Sequence, residues 1–175
     1  MTSLYRYKII IEKDAFPSDK YAVESQLKYH NIPVNDGLIF WEPNKNTDYY
    51  CLEDLTQLLE THGSSIALVL LGNTNYYTGQ YYPIKEITSL AHKQGSKVGF
   101  DLAHGAGNIC PDLHASGPDF AVWCSYKYLN SGPGSIAGCF VHERHANNTN
   151  LKRFTGWWGH NKQNRFEMRH DFEVL

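Results

Sequence analysis

Ile66-Ala67-Leu68-Val69-Leu70-Leu71 is the longest apolar run in the chain, and its reading together with the segments next to it decides the fold. A charge-free aliphatic run of this length suits a strand covered on both faces, and it is far too short to cross a membrane. A polar, aromatic loop from Gly72 to Tyr82 comes next. Pro83 then opens a helix that carries Ile84, Ile87, Leu90 and Ala91, and Gly95 stops it. The short run Lys97-Val98-Gly99-Phe100 ends at Asp101 and reads as a second strand. Strand, helix and strand in this order predict a crossover unit on a parallel sheet.

The same alternation extends in both directions. Towards the N-terminus, Tyr7-Lys8-Ile9-Ile10-Ile11 is a strand ending in charge, and Ser18 or Asp19 is the expected cap of a helix through Tyr29. Asn35-Asp36-Gly37 is a turn before the strand Leu38-Ile39-Phe40-Trp41. Leu52, Leu55, Leu58 and Leu59 recur at helical spacing until Gly63. Towards the C-terminus a weaker helix precedes the strand Asp119–Cys124, and Ala137–His142 is the last strand, after a Gly-rich loop. The expected architecture is α/β, a mostly parallel central sheet with crossover helices. No repeat or linker divides the chain, so residues 1–175 are read as a single domain. The stretch beyond His145 is polar and irregular.

Composition narrows the function. The 175 residues are 42% hydrophobic and 19% charged, with 16 Lys+Arg against 18 Asp+Glu and a net charge of −2. No basic excess exists to displace phosphate counterions or to coat an anionic lipid surface, so neither nucleic acid nor membrane is an expected partner. The N-terminus shows no secretory apolar segment, and Cys51, Cys110, Cys124 and Cys139 form no CxxC pair. A cytoplasmic enzyme acting on a small molecule is the expectation, without a metal. His142-Glu143-Arg144-His145 spaces its histidines three apart, which is not the four of a zinc-binding HExxH helix.

Lys127 is the only formal charge in the 22 residues from Phe120 to Val141. Desolvation in apolar, aromatic surroundings disfavours an ammonium, and a neutral amine attacks carbonyls, which suits a Schiff-base lysine. The alternative is a lysine that snorkels from the strand end into solvent. Asp101 ends another strand 26 residues earlier, room for one crossover, so both side chains can emerge at the carboxyl edge of the sheet. A lysine and an acid so placed match pyridoxal phosphate, whose aldehyde is held by the amine and whose ring nitrogen pairs with the carboxylate. Asp101 is equally readable as a helix cap.

Gly99-Phe100-Asp101-Leu102-Ala103-His104 and Trp123-Cys124-Ser125-Tyr126-Lys127-Tyr128-Leu129-Asn130 resemble the cofactor segments of the kynureninase family. These are fold type I pyridoxal-phosphate enzymes of the aminotransferase superfamily. The resemblance continues through Ala15-Phe16-Pro17-Ser18-Asp19, Tyr76-Tyr77-Thr78-Gly79-Gln80, Ile136-Ala137-Gly138 and Gly156-Trp157-Trp158-Gly159-His160. It implies that Lys127 is the catalytic Schiff-base lysine and proton carrier. Asp101 would pair with the ring nitrogen, and His104 would support the ring. Phe16 would stack on the ring face, with Pro17, Ser18 and Asp19 shaping that wall. Tyr126 and Trp157 would donate to the cofactor phosphate.

The implied reaction is hydrolysis of L-kynurenine or 3-hydroxykynurenine to alanine and anthranilate or its 3-hydroxy analogue. It belongs to tryptophan catabolism, along the kynurenine route to NAD, and is carried out by a homodimer. Departures accompany the match. Gly72, with Thr74 nearby, stands where the family places a small hydroxyl residue near the cofactor. The phosphate-binding loop, a later Asn and the substrate-clamping arginine find no counterpart, so the chain is expected to be the central part of an incomplete large domain. Weak cofactor binding and little activity are expected of it alone. The alternatives are another fold type I enzyme, such as a cysteine desulfurase or aminotransferase, or a non-catalytic piece.

Overall fold

The computed structural model describes residues 6–148, 150–152 and 154–173. Its six strands are β1 (Lys8–Glu12), β2 (Leu38–Trp41), β3 (Ile66–Gly72), β4 (Lys97–Asp101), β5 (Phe120–Trp123) and β6 (Gly138–Val141). They form one sheet in the order β2-β1-β3-β4-β5-β6, parallel throughout except for the antiparallel edge pair β5 and β6. The helices are α1 (Pro17–Tyr29), α2 (Val34–Gly37), α3 (Leu52–His62), α4 (Ile84–Lys93) and α5 (Leu113–Ser116). The mostly parallel sheet with crossover helices is therefore the architecture that the alternation predicted.

Strand alternation sorts the apolar side chains onto two faces. On one face Ile10, Trp41, Val69, Leu71, Val98 and Phe100 join Leu55, Leu59, Ile84 and Ile87 of α3 and α4 in the main core. Ile9 and Ile11 turn the other way, towards Val23 and Leu27 of α1, with Leu68 and Leu70 only partly buried beside them. The expectation that the strand Ile66–Leu71 is covered on both faces thus holds on one face only. The second face is sheltered by α1 and α2 over β1 and β2, while Val122 and Val141, towards the β6 edge, are exposed.

Three local expectations change. The cap of α1 is Phe16, followed by Pro17 at the first position, and no side chain caps the helix end. Asp19 lies inside the first turn and is spent elsewhere. Gly63 does end α3 as its C-cap, but with right-handed backbone and opening a short 3-10 turn, Gly63–Ser65, whereas Gly95 adopts φ 77° after α4. The weak segment before β5 shortens to α5, whose cap is Asp112, accepting the Ala115 N–H at 3.0 Å.

Strand order positions the site. From β1 the chain moves to one side to make β2 and to the other to make β3. Connections therefore diverge above the carboxyl ends of β1 and β3, and that crevice is where parallel sheets receive ligands. Glu12, Gly72 and Asp101 are the last residues of β1, β3 and β4.

Candidate functional site

A cleft opens at this switch point. Its lining includes Glu12, Phe16, Asp19, Asp101, His104 and Lys127, together with Thr74, Asn75 and Tyr76 from the loop after β3. Phe16 leads into α1, and its half-exposed ring meets Tyr76 edge-on at 5.4 Å between centroids. The Lys127 Nζ stands 5.7 Å from the centre of the Phe16 ring, a cation–π distance. The lysine is half-buried and faces carboxyls as well as an aromatic ring, so its surroundings are less apolar than its sequence neighbours imply.

Two of those carboxyls share the site with a single ammonium. Asp101 Oδ1 accepts the Ala103 N–H at 2.7 Å, which fixes its orientation through the turn after β4 rather than by capping a helix. Burial pushes the Asp19 carboxyl up to about 7, reinforced by repulsion from Asp101 and a hydrogen bond with it, while Lys127 opposes the shift. The pair therefore holds a proton between two oxygens near neutral pH. Burial, and then the Lys127 charge, holds His104 below its ordinary value, outweighing the attraction of Asp101. The imidazole is accordingly neutral at physiological pH.

The loop that presents Lys127 is closed by hydroxyls. Ser131 Oγ donates to the Ser125 carbonyl at 2.6 Å, and Ser135 Oγ donates to the Gly132 carbonyl at 2.8 Å. The Ser135 oxygen also lies 2.8 Å from Ser125 Oγ and 2.9 Å from Ser131 Oγ. Asn130, Gly132 and Gly134 take positive φ, which lets the chain reverse tightly enough for these contacts.

Five of the residues expected at the site, Phe16, Asp19, Asp101, His104 and Lys127, are brought together. Pro17 and Ser18 lie in the first turn of α1 behind Phe16, outside the lining. Tyr126 is half-exposed beside Lys127, and a hydrogen bond with Cys124 raises its hydroxyl above the usual range. Trp157 does not line the cleft, and its indole N–H donates to the Arg165 carbonyl at 2.9 Å.

Sequence reasoning missed Glu12. It is 3% exposed, and burial pushes its carboxyl to about 7 against the opposing hydrogen bonds from Gly72 and Asn75. The available signal was a carboxylate directly after three isoleucines, at the carboxyl end of a buried parallel strand.

Residues 37–155 match the model of the aminotransferase class-V family. The whole chain is 51% identical over 180 aligned positions to a kynureninase of Myxococcus xanthus, and 52% identical over 180 to one of Flavobacterium psychrophilum. A kynureninase of Nematostella vectensis is 50% identical over 170 positions, covering 97% of the chain and 37% of the relative. The chain spans about two fifths of the length of these curated relatives, 42% for the two bacterial ones. Among solved structures, an alanine–glyoxylate aminotransferase from Nostoc sp. aligns with TM-score 0.60 and 19% identity over 87% of this chain and 38% of its own. The cysteine desulfurase CsdA from Escherichia coli aligns with TM-score 0.65 and 18% identity over 81% of this chain and 33% of its own. Those two likenesses speak to the fold, while the family model and the half-identical relatives speak to descent: the chain belongs to the aminotransferase class-V family, and its sequence is kynureninase-like along its whole length.

Proposed function

We propose that residues 1–175 belong to the cofactor-binding large domain of a pyridoxal-phosphate enzyme that hydrolyses L-kynurenine or 3-hydroxykynurenine to alanine and the corresponding anthranilate. The observation that carries this reading is the meeting of Lys127, Asp101, Asp19 and Phe16 at the switch point of the sheet. The donor set fits the cofactor. Asp101, backed by the Asp19 carboxyl, offers an acid suited to a protonated ring nitrogen. Phe16 offers a flat apolar wall, and Lys127 offers an amine in the same cleft.

When bound, the cofactor supplies an electron sink for the carbon from which a proton is removed. The remaining work falls to the chain. Asp101, oriented by the Ala103 N–H, would hold the ring nitrogen of the bound cofactor, with Asp19 behind it as the hydrogen-bond partner of Asp101. Phe16 would offer the ring a flat wall, and His104, held below its ordinary pKa, would sit in the same cleft without adding a competing charge. Lys127 Nζ would hold the aldehyde of the bound cofactor and would serve as the proton carrier to and from the substrate carbons. Tyr126, next to Lys127 in the chain, is proposed to serve the phosphate or the hydrated carbonyl. Trp157 reaches the phosphate only by giving up its bond to the Arg165 carbonyl. Exposed Tyr76, Tyr77 and Tyr128 around the opening support a homodimer, with a partner subunit completing the site. No helix of the described residues is long and apolar enough to cross a membrane, and a cytoplasmic location is proposed with it.

Borohydride reduction after incubation with pyridoxal phosphate should place the label on the peptide containing Lys127, and Lys127→Ala should lose it. A label elsewhere sinks the assignment. The protein containing this chain at full length should release fluorescent anthranilate from kynurenine; sulfide from cysteine, or a keto acid, would point instead to a different reaction on the same fold.

A further inference from the structure

Glu12 is a buried acid of the cleft with no assigned task. Its Oε1 accepts the Gly72 N–H at 2.8 Å and its Oε2 accepts the Asn75 Nδ2 at 3.4 Å. Both donors are neutral, and Glu12 enters no salt bridge among the described residues. The groups facing it from neighbouring elements offer no better partner. Asp19 of α1 and Asp101 of β4 oppose its ionisation, as carboxyls of the same sign. The Tyr50 and Tyr82 rings complete the surround on the core side, and Lys127 lies across the cleft. A carboxylate removed from water, served by neutral donors and flanked by acids, is the costly form of this side chain.

The donors cannot turn away. Asn75 Oδ1 already accepts from the Tyr77 N–H at 3.0 Å, the Thr78 N–H at 2.9 Å and the Thr78 hydroxyl at 3.2 Å, so its amide group must present Nδ2 to Glu12. The bond from Nδ2 is long, so it compensates the buried carboxylate only weakly. Gly72 belongs to the same arrangement. A Cβ there would stand 3.0 Å from Glu12 Oε1, so a hydroxyl residue at this position would crowd the acid.

We propose that Glu12 is a positioning residue that works as a neutral acid, tying the turn Gly72–Asn75 to β1 and leaving Lys127 to balance only Asp19 and Asp101. Through that turn it places Thr74, Asn75 and Tyr76, the last of which backs the Phe16 ring. The balance it leaves matters for a ring cation only if the cleft takes pyridoxal phosphate, but melting, infrared and exchange measurements need no cofactor, so either reading can fail alone.

The folded protein then holds a proton that the unfolded chain sheds above its ordinary carboxyl value of 4.5. Stability contributed by Glu12 therefore falls as pH rises from that value towards 7, and levels off above it. Glu12→Gln carries no such proton. Its melting temperature should gain about 5 °C on the wild type between pH 5 and pH 7.5, then keep a constant offset. A purely structural role gives the same offset at every pH, and that result overturns the proposal. Infrared spectra of wild-type protein labelled with 13C at glutamate carboxyls read the acid directly, without depending on any variant's folding. A buried protonated carboxyl band that shifts with the label at pH 6 and fades above pH 7 is expected; its absence at pH 6 refutes the neutral acid. Hydrogen exchange tests the positioning. Glu12→Ala should speed exchange at the Gly72 amide at least about tenfold over wild type, and unchanged exchange there refutes the tie to the turn.

Discussion

Asp119 shows how much a single buried carboxylate can organise. Its side chain is 5% exposed and accepts from His92 Nε2 at 2.8 Å, Lys97 Nζ at 3.1 Å, His145 Nε2 at 2.7 Å and the Val98 N–H at 2.8 Å. Burial alone would raise it, but these bonds win and hold it at about 2. Because the folded value lies below the unfolded 3.8, its contribution is present above pH 4 and is lost as pH falls towards 2. Asp119→Asn should cost about 2 kcal/mol in denaturant titrations at pH 7, with the gap to wild type closing near pH 2. A gap independent of pH would contradict the assignment. Asp119 lies at the amino ends of β4 and β5, opposite the cleft. Lys127 and Asp101 were legible as residues because each is a polar group at the end of an apolar strand. Glu12 has the same signature, yet its meaning depends on which strands lie beside β1.

At the scale of elements, close approach replaces propensity. Gly99 faces Phe120 across the β4 and β5 pair, and the Phe120 ring occupies the place a Cβ on residue 99 would need. Gly99→Ala should therefore destabilise by about 1–3 kcal/mol through overpacking, although alanine is no worse than glycine in a strand. Combining it with Phe120→Leu should recover much of the loss in the same unfolding assay; additive losses would show that the ring is not the cause. The start of α1 illustrates the opposite trade. Ser18 and Asp19 are good caps by residue type, but Phe16 and Pro17 set the helix entry, and the Asp19 carboxyl turns to Asp101 instead. Cap preference is local, whereas the pull on Asp19 comes from a residue 82 positions later in the chain.

For the molecule as a whole, the alternation of apolar runs with helical spacing determined an α/β fold with a largely parallel sheet, because periods of 2 and 3.6 are written in the order of residues. The sequence likewise marked Lys127 and Asp101 as chemistry at strand ends, and its short strings carried the likeness to kynureninases. Strand order was decided only in three dimensions. Placing β1 between β2 and β3 creates the switch point, and no local pattern states which strands become neighbours. That order brings Glu12, Asp19 and Asp101 into one cleft with Lys127, and so raises the Glu12 and Asp19 carboxyls. Burial and charge act through space between residues far apart in the chain, which is why Lys127 and Asp101 could be marked from the sequence, while Glu12 and the raised carboxyls of Glu12 and Asp19 followed only from the assembled sheet.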